Sequence, residues 1–184
     1  MQEKSNYTGV MVDLETMSTH DNAAIVSIGA VKFWLNVTQD VFTPDQLFHV
    51  QVDLASSQEA GLDIDADTVM FWLEQSKAAQ ESIMRGIDLK QALEAFSRWF
   101  PKDAFIFAHG AMFDLTILRS AYKAVNLPHP TGFRKEMCYR TLKAMTDVPP
   151  VKVEGLTQHN ALHDSMVQTR HLMAILEKTP WHGK

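Results

Sequence analysis

The sequence predicts an α/β protein, a mixed five-stranded sheet with helices on its faces. Three observations carry that expectation. Three strand-like stretches come early and close together, at 8–14, 23–35 and 47–54. After them, helical and strand-like patterns alternate, the arrangement that sets a sheet between helical layers. A short apolar run at 104–110 then passes directly into an amphipathic helix, as in a strand–helix unit.

Each element follows in order. Residues 8–14 form an apolar run. "AAIVSIGAVKFWL" (23–35) is rich in β-branched and aromatic residues, and "LFHVQVDL" (47–54) alternates as a half-buried strand does. The segments between these three are short, so an antiparallel meander is expected. "DADTVMFWLEQS" (65–76) carries a helix start signal in Asp65 or Asp67. In 88–100, Leu89, Leu93, Phe96 and Phe100 keep helical spacing until Pro101 ends the helix. "AFIFAHG" (104–110) reads as a buried strand and 112–125 as the helix after it. Residues 134–145 are ambiguous and accommodate a short strand, then a helix. Residues 160–178 form the final helix. With no repeat, low-complexity tract or linker, residues 1–184 are expected to be a single domain.

Composition excludes several classes. Hydrophobic residues make up 46% of the 184, enough for a core, yet no stretch is long and apolar enough to span a bilayer. The start, MQEKSNYTGV, lacks a signal peptide's apolar core, so a soluble cytoplasmic protein is expected. Cys138 is the one cysteine, which excludes an internal disulfide and a cysteine-rich zinc site. Seventeen basic against 22 acidic residues, a net charge of −5, argue against gripping long duplex DNA through many phosphates. Bound cations can still supply local positive charge.

The chemistry starts at "VMVDLET". On a strand, Asp13 and Glu15 point to one face, about 6.6 Å apart. Like charges held that close cost free energy unless a cation lies between them. Asp114 follows the buried strand in "AHGAMFDLTIL"; alone, an acid in a first helical turn is explained by the helix dipole. In "HNALHDS", His159 and Asp164 are five apart and diverge by about 140° on a regular helix. They converge only if His159 lies in the loop before the helix. A His159–His163 zinc pair is the rival, but Asn160 stands where that motif carries a catalytic glutamate.

Asp13, Glu15, Asp114, Asp164 and His159 therefore form a set that one sheet can bring together. Oxygen-only ligands suit Mg²⁺ or Mn²⁺. Several carboxylates can hold two such ions about 4 Å apart for in-line attack on a phosphodiester, with a neutral histidine taking the proton of the attacking water.

"DLET", the "FD" after a central strand, and "HNALHD" resemble, in order and separation, the three motifs of the DEDDh exonucleases. The resemblance covers nearly the whole chain. It implies a ribonuclease H-like fold and 3′–5′ removal of nucleoside 5′-monophosphates with two divalent ions, Mg²⁺ or Mn²⁺. It further implies Asp13, Glu15, Asp114 and Asp164 as metal ligands, and His159 as general base. Nucleic-acid 3′ ends would be the partner, at a substrate site that includes Thr16, Met17, Phe113 and Trp72. Similar enzymes are often homodimers. "DLETM", "VSIGAV", "FWLEQS" and "HNAL-D" are most similar to phage and prophage exonucleases, some called exodeoxyribonuclease VIII, which favours single-stranded DNA. An actinobacterial exoribonuclease is also similar, and trimming of RNA 3′ ends is the alternative. An end-binding module without catalysis is a third reading, opposed by the intact acid set.

Two positions depart from that branch. His109 precedes Gly110 where Asn is frequent, and Cys138 stands where an Asp is frequent. Met17 reads equally as a wedge against the terminal base or as core. Phe71 and Trp72 read as a stacking platform or, in preference, as core.

Overall fold

The structure, a computed structural model, describes residues 8–39, 41–151 and 155–182. The strands are β1 (Gly9–Thr16), β2 (Ile25–Phe33), β3 (Leu47–Gln51), β4 (Phe105–Ala108) and β5 (Glu136–Cys138). They lie in the order β3-β2-β1-β4-β5. β1, β2 and β3 form the expected antiparallel meander, and β4 and β5 run parallel to β1 and β4. The helices are α1 (Leu54–Glu59), α2 (Ala66–Glu74), α3 (Lys77–Glu81), α4 (Leu89–Trp99), α5 (Asp114–Ala124), α6 (Tyr139–Ala144) and α7 (Ala161–Lys178). The ambiguous 134–145 segment resolves into β5 and α6. No helix among the described residues is long and apolar enough to cross a membrane.

Caps set the helix starts. Asp65 accepts from Asp67 N–H and Thr68 N–H, Asp88 from Gln91 N–H, and Asn160 from His163 N–H, so three starts expected from the sequence are held by side chains. Two differences appear. The strand expected over 47–54 stops at Gln51, because Asp53 caps α1 by accepting from Ser56 N–H. The helix expected from 112 starts at Asp114, after a turn in which Gly110 adopts φ +125°.

The sheet separates two cores. Val10, Val12 and Leu14 of β1 pack with Leu93 and Phe96 of α4 and Leu115 and Leu118 of α5. Met11 packs on the other face with Phe33, Phe107, and Leu172, Met173 and Leu176 of α7. The period of two on β1 then sends Asp13 and Glu15 to the α7 face. Gly29, opposite Asp13 in the β1–β2 register, lets α7 in: a Cβ there would lie 2.0 Å from the Ala161 carbonyl carbon. The start of α7 thus crosses the sheet at the acid pair.

Candidate active site

The acids converge from three elements. Asp13 and Glu15 end β1, where a register shift between Glu15 and Thr16 terminates regular pairing with β2. β4 pairs with β1 only as far as Met11, and beyond that point Leu14 N–H donates to Asp114 Oδ1 at 3.3 Å. Asp164 lies in the first turn of α7. Asp13, Glu15 and Asp164 each present an oxygen within 4.8 Å of the others. Asp114, only 4% exposed, sits beside them and outside that tight triple.

The electrostatics are unfavourable to four free carboxylates. Burial, then Asp164 and Asp114, push Glu15 up to about 8. Burial raises Asp114 to about 7, against the opposing pull of the Leu14 N–H and the Arg140 charge. Asp13 is raised well above the ordinary range by burial, Asp114 and Glu15, with a hydrogen bond from Gln168 in opposition. Burial raises Asp164, opposed by the His159 N–H. A divalent cation supplies what this donor set lacks, and carboxylate-only ligation suits Mg²⁺ or Mn²⁺.

His159 lies in the loop before α7, as convergence with Asp164 requires. Its backbone is left-handed, φ +58°, uncommon for a non-glycine residue. Contacts among the described residues hold it. Its N–H donates to Asp164 Oδ2 at 3.1 Å, its carbonyl accepts from Ser82 Oγ at 3.3 Å, and its ring stands edge-on to Phe71 at 5.3 Å and to Trp72 at 6.4 Å between centroids. His163 is otherwise engaged: its Nδ1 accepts from Thr157 N–H at 2.9 Å, which removes that nitrogen from any zinc pair.

His159 and all four acids line one cavity of about 350 Å³. A second, of about 450 Å³, shares Leu14, Glu15 and Phe113 with it and extends past Thr16, Phe71 and Trp72. The two make one groove. Thr16, Phe113 and Trp72 therefore lie on it, and Trp72 Nε1–H donates to the Thr16 carbonyl at 2.9 Å. Met17 does not line the groove: it is 8% exposed and packs in the core behind Trp72. Phe71, 41% exposed, is the aromatic that faces the groove's opening, where the sequence placed Trp72. Two lining residues were absent from the sequence reading, Gln158 and Gln168. Gln168 Nε2–H donates to Asp13 Oδ1 at 2.7 Å. Its one legible signal was position, four residues after Asp164 and so on the same helix face. His109 also lines the cavity, and Cys138, at the end of β5, does not.

A model of the Rv2179c-like 3′–5′ exoribonuclease domain matches residues 8–176. The chain belongs to this family. It is a 3′–5′ exonuclease, and its ribonuclease H-like fold agrees with solved relatives. Exonuclease X in complex with 5′-overhanging duplex DNA superposes with a TM-score of 0.60 at 16% identity, over 95% of this chain and 94% of that one. E. coli Exonuclease I with a dT13 oligonucleotide gives 0.60 at 14% identity, but this Rv2179c-like chain spans only 41% of its length. S. pombe Pop2p, in its Mg²⁺- and Mn²⁺-bound form, gives 0.56 at 10% identity over 94% and 84%. At these identities the likeness is one of fold. No curated protein sequence matches the chain.

Proposed function

We propose that this 3′–5′ exonuclease hydrolyses the terminal phosphodiester of single-stranded nucleic acid, RNA before DNA, and releases nucleoside 5′-monophosphates. One observation carries the mechanism: three carboxylates from two elements meet within 4.8 Å in a cavity that His159 also lines. Asp13, Glu15 and Asp164, with Asp114 beside them, would hold two divalent ions. Such ions acidify the attacking water and stabilise the leaving oxygen. His159 acts as general base and takes the water's proton on its ring, with its backbone N–H anchored on the Asp164 carboxylate and its ring packed against Phe71. The terminal nucleoside occupies the adjoining groove, where Thr16, Phe113 and Trp72 line it and Phe71 offers an exposed face to a base. Met17 supports Trp72 from the core and takes no part in binding.

The preference for RNA rests on the family's description as exoribonucleases. DNA is the second reading. It is favoured by the likeness of "DLETM" and "HNAL-D" to phage exonucleases, and by the DNA bound to Exonucleases X and I. The test uses 5′-labelled RNA, DNA and duplex of one sequence, resolved at single-nucleotide steps. A ladder that shortens from the 3′ end with Mg²⁺ or Mn²⁺, fastest on RNA and absent with EDTA, is expected. Faster shortening of DNA selects the second reading. Shortening that EDTA does not stop, or internal cuts, would overturn the proposal.

A further inference from the structure

Gln168 is set apart among the residues around the acids. It lies one helical turn beyond Asp164 on α7, so the two side chains descend on β1 from the same helix face. The orientation of its amide is determined. Nε2 lies 2.7 Å from Asp13 Oδ1, and with Asp13 ionised, as a metal ligand is, only the N–H end can face that oxygen. The other end, Oε1, is then fixed as an acceptor. That atom is buried and has no hydrogen-bond partner among the described residues.

A buried acceptor without a donor is unusual in a folded protein and calls for an explanation. The surroundings give one. Gln168 lines the same cavity as Asp13, Glu15 and Asp164, whose other contributors are mostly acceptors. The described residues therefore supply Oε1 with no donor, while the acid set invites a divalent cation. Mg²⁺ gives up its hydration reluctantly and keeps several waters when bound by carboxylates. Those waters are strong donors.

We propose that Gln168 is the outer positioning residue of the metal site. Its N–H end fixes the rotation of the Asp13 carboxylate. Its Oε1 accepts a hydrogen from the hydration shell of the ion that Asp13 holds. This rests on the reading of Asp13 as a ligand, as set out above. The role is indirect: Gln168 touches neither the reacting phosphate nor the ion, and acts through Asp13 and through water. Residues behind metal ligands act in this way elsewhere, and their loss typically weakens metal binding or activity by about 10–100-fold.

The test measures Mn²⁺ binding directly, by the loss of the free-ion electron paramagnetic resonance signal, with no substrate present. Gln168→Met keeps the length of the side chain and removes both donor and acceptor. The expected result is Mn²⁺ binding about 10–100-fold weaker than in the wild type, with the EDTA-treated protein still folded. Should that variant fail to fold, Gln168→Leu, an equally good helix former that also lacks donor and acceptor, takes its place with the same expectation. Asp13→Asn is measured in parallel. Wild-type affinity in the Gln168 variant together with lost affinity in Asp13→Asn overturns the role of Gln168 and leaves the metal reading standing. Wild-type affinity in Asp13→Asn overturns the metal reading itself, and this inference with it. A purely structural glutamine would lower the melting temperature in EDTA and leave the Mn²⁺ titration unchanged, which also counts against the proposal.

Discussion

Helix α7 buries two sets of polar groups against one sheet, and they differ in kind. Towards its C-terminus His171 lies between two partners, with Nδ1 2.6 Å from the Tyr139 hydroxyl and Nε2 2.9 Å from the Val148 carbonyl. That carbonyl can only accept, so Nε2 carries the hydrogen. The Tyr139 hydroxyl, kept protonated by burial that pushes it up to about 12, donates to Nδ1. Every group is satisfied. About one turn earlier Gln168, and about two turns earlier Asp164, face Asp13 and Glu15, where the carboxyls are all raised and one amide oxygen has no donor among the described residues. The same helix and the same sheet could have satisfied both ends. The difference teaches that the crowding is local to the end lined by a cavity, where an incoming cation can relieve it.

The comparison predicts that the two ends respond oppositely to mutation. At the crowded end, His159→Ala should lower the single-turnover rate by about 10²–10⁴-fold, the usual worth of a general base. Its Mn²⁺ response should stay near wild type, because the acids remain. His163→Ala should leave the rate within a few-fold and cost about 0.5–1.5 kcal/mol of stability, the worth of one hydrogen bond, from Thr157. Equal rate losses in the two, read by rapid quench, would remove His159 from its special place.

At the satisfied end, Tyr139→Phe leaves His171 Nδ1 buried without a donor. A loss of about 1–3 kcal/mol in urea unfolding is expected, with the rate unchanged. A rate loss without a stability loss would mean that the two ends are not independent.

A smaller and graded effect is pH. Carboxyls raised above their ordinary 3.8 or 4.5 hold more protons folded than unfolded, so metal-free stability should fall as pH rises towards the folded values. Glu15 at about 8 and Asp114 at about 7 set the upper end of that window. His49, His109 and His129, lowered by burial from 6.5, pull the other way below that pH. The window to read is therefore about pH 6.5–8. In EDTA the fall is about 1.4 kcal/mol per pH unit for each extra proton held. Saturating Mn²⁺ should flatten it. A flat curve in EDTA would show that the acids are not crowded in solution.

The fold was largely legible, because three strands before a strand–helix alternation leave few topologies, apolar spacing marks 88–100 and Asp65 marks its helix. α1 and α3, of six and five residues, escaped because helices so short show no apolar period. At the site, the four acids and His159 were legible through type and spacing. Phe71 and Trp72 were not separable, since two adjacent aromatics do not declare which of them stays exposed, and Met17 read equally as wedge or core. Gln168 showed nothing beyond its place one turn after Asp164: a glutamine on a polar helix face reads as solvated, and only the passage of α7 over Gly29 brings it to Asp13.

The most direct test of the crowded-acid account is the melting temperature of wild type and Asp13→Asn at pH 8, each in EDTA and in Mn²⁺. Removing one of four repelling carboxylates should make the variant more stable than wild type in EDTA. Because an ion that binds only the folded state stabilises by mass action, Mn²⁺ should raise wild type well above its EDTA value and the variant much less. A variant that is less stable in EDTA, and that Mn²⁺ raises as far as wild type, would contradict it.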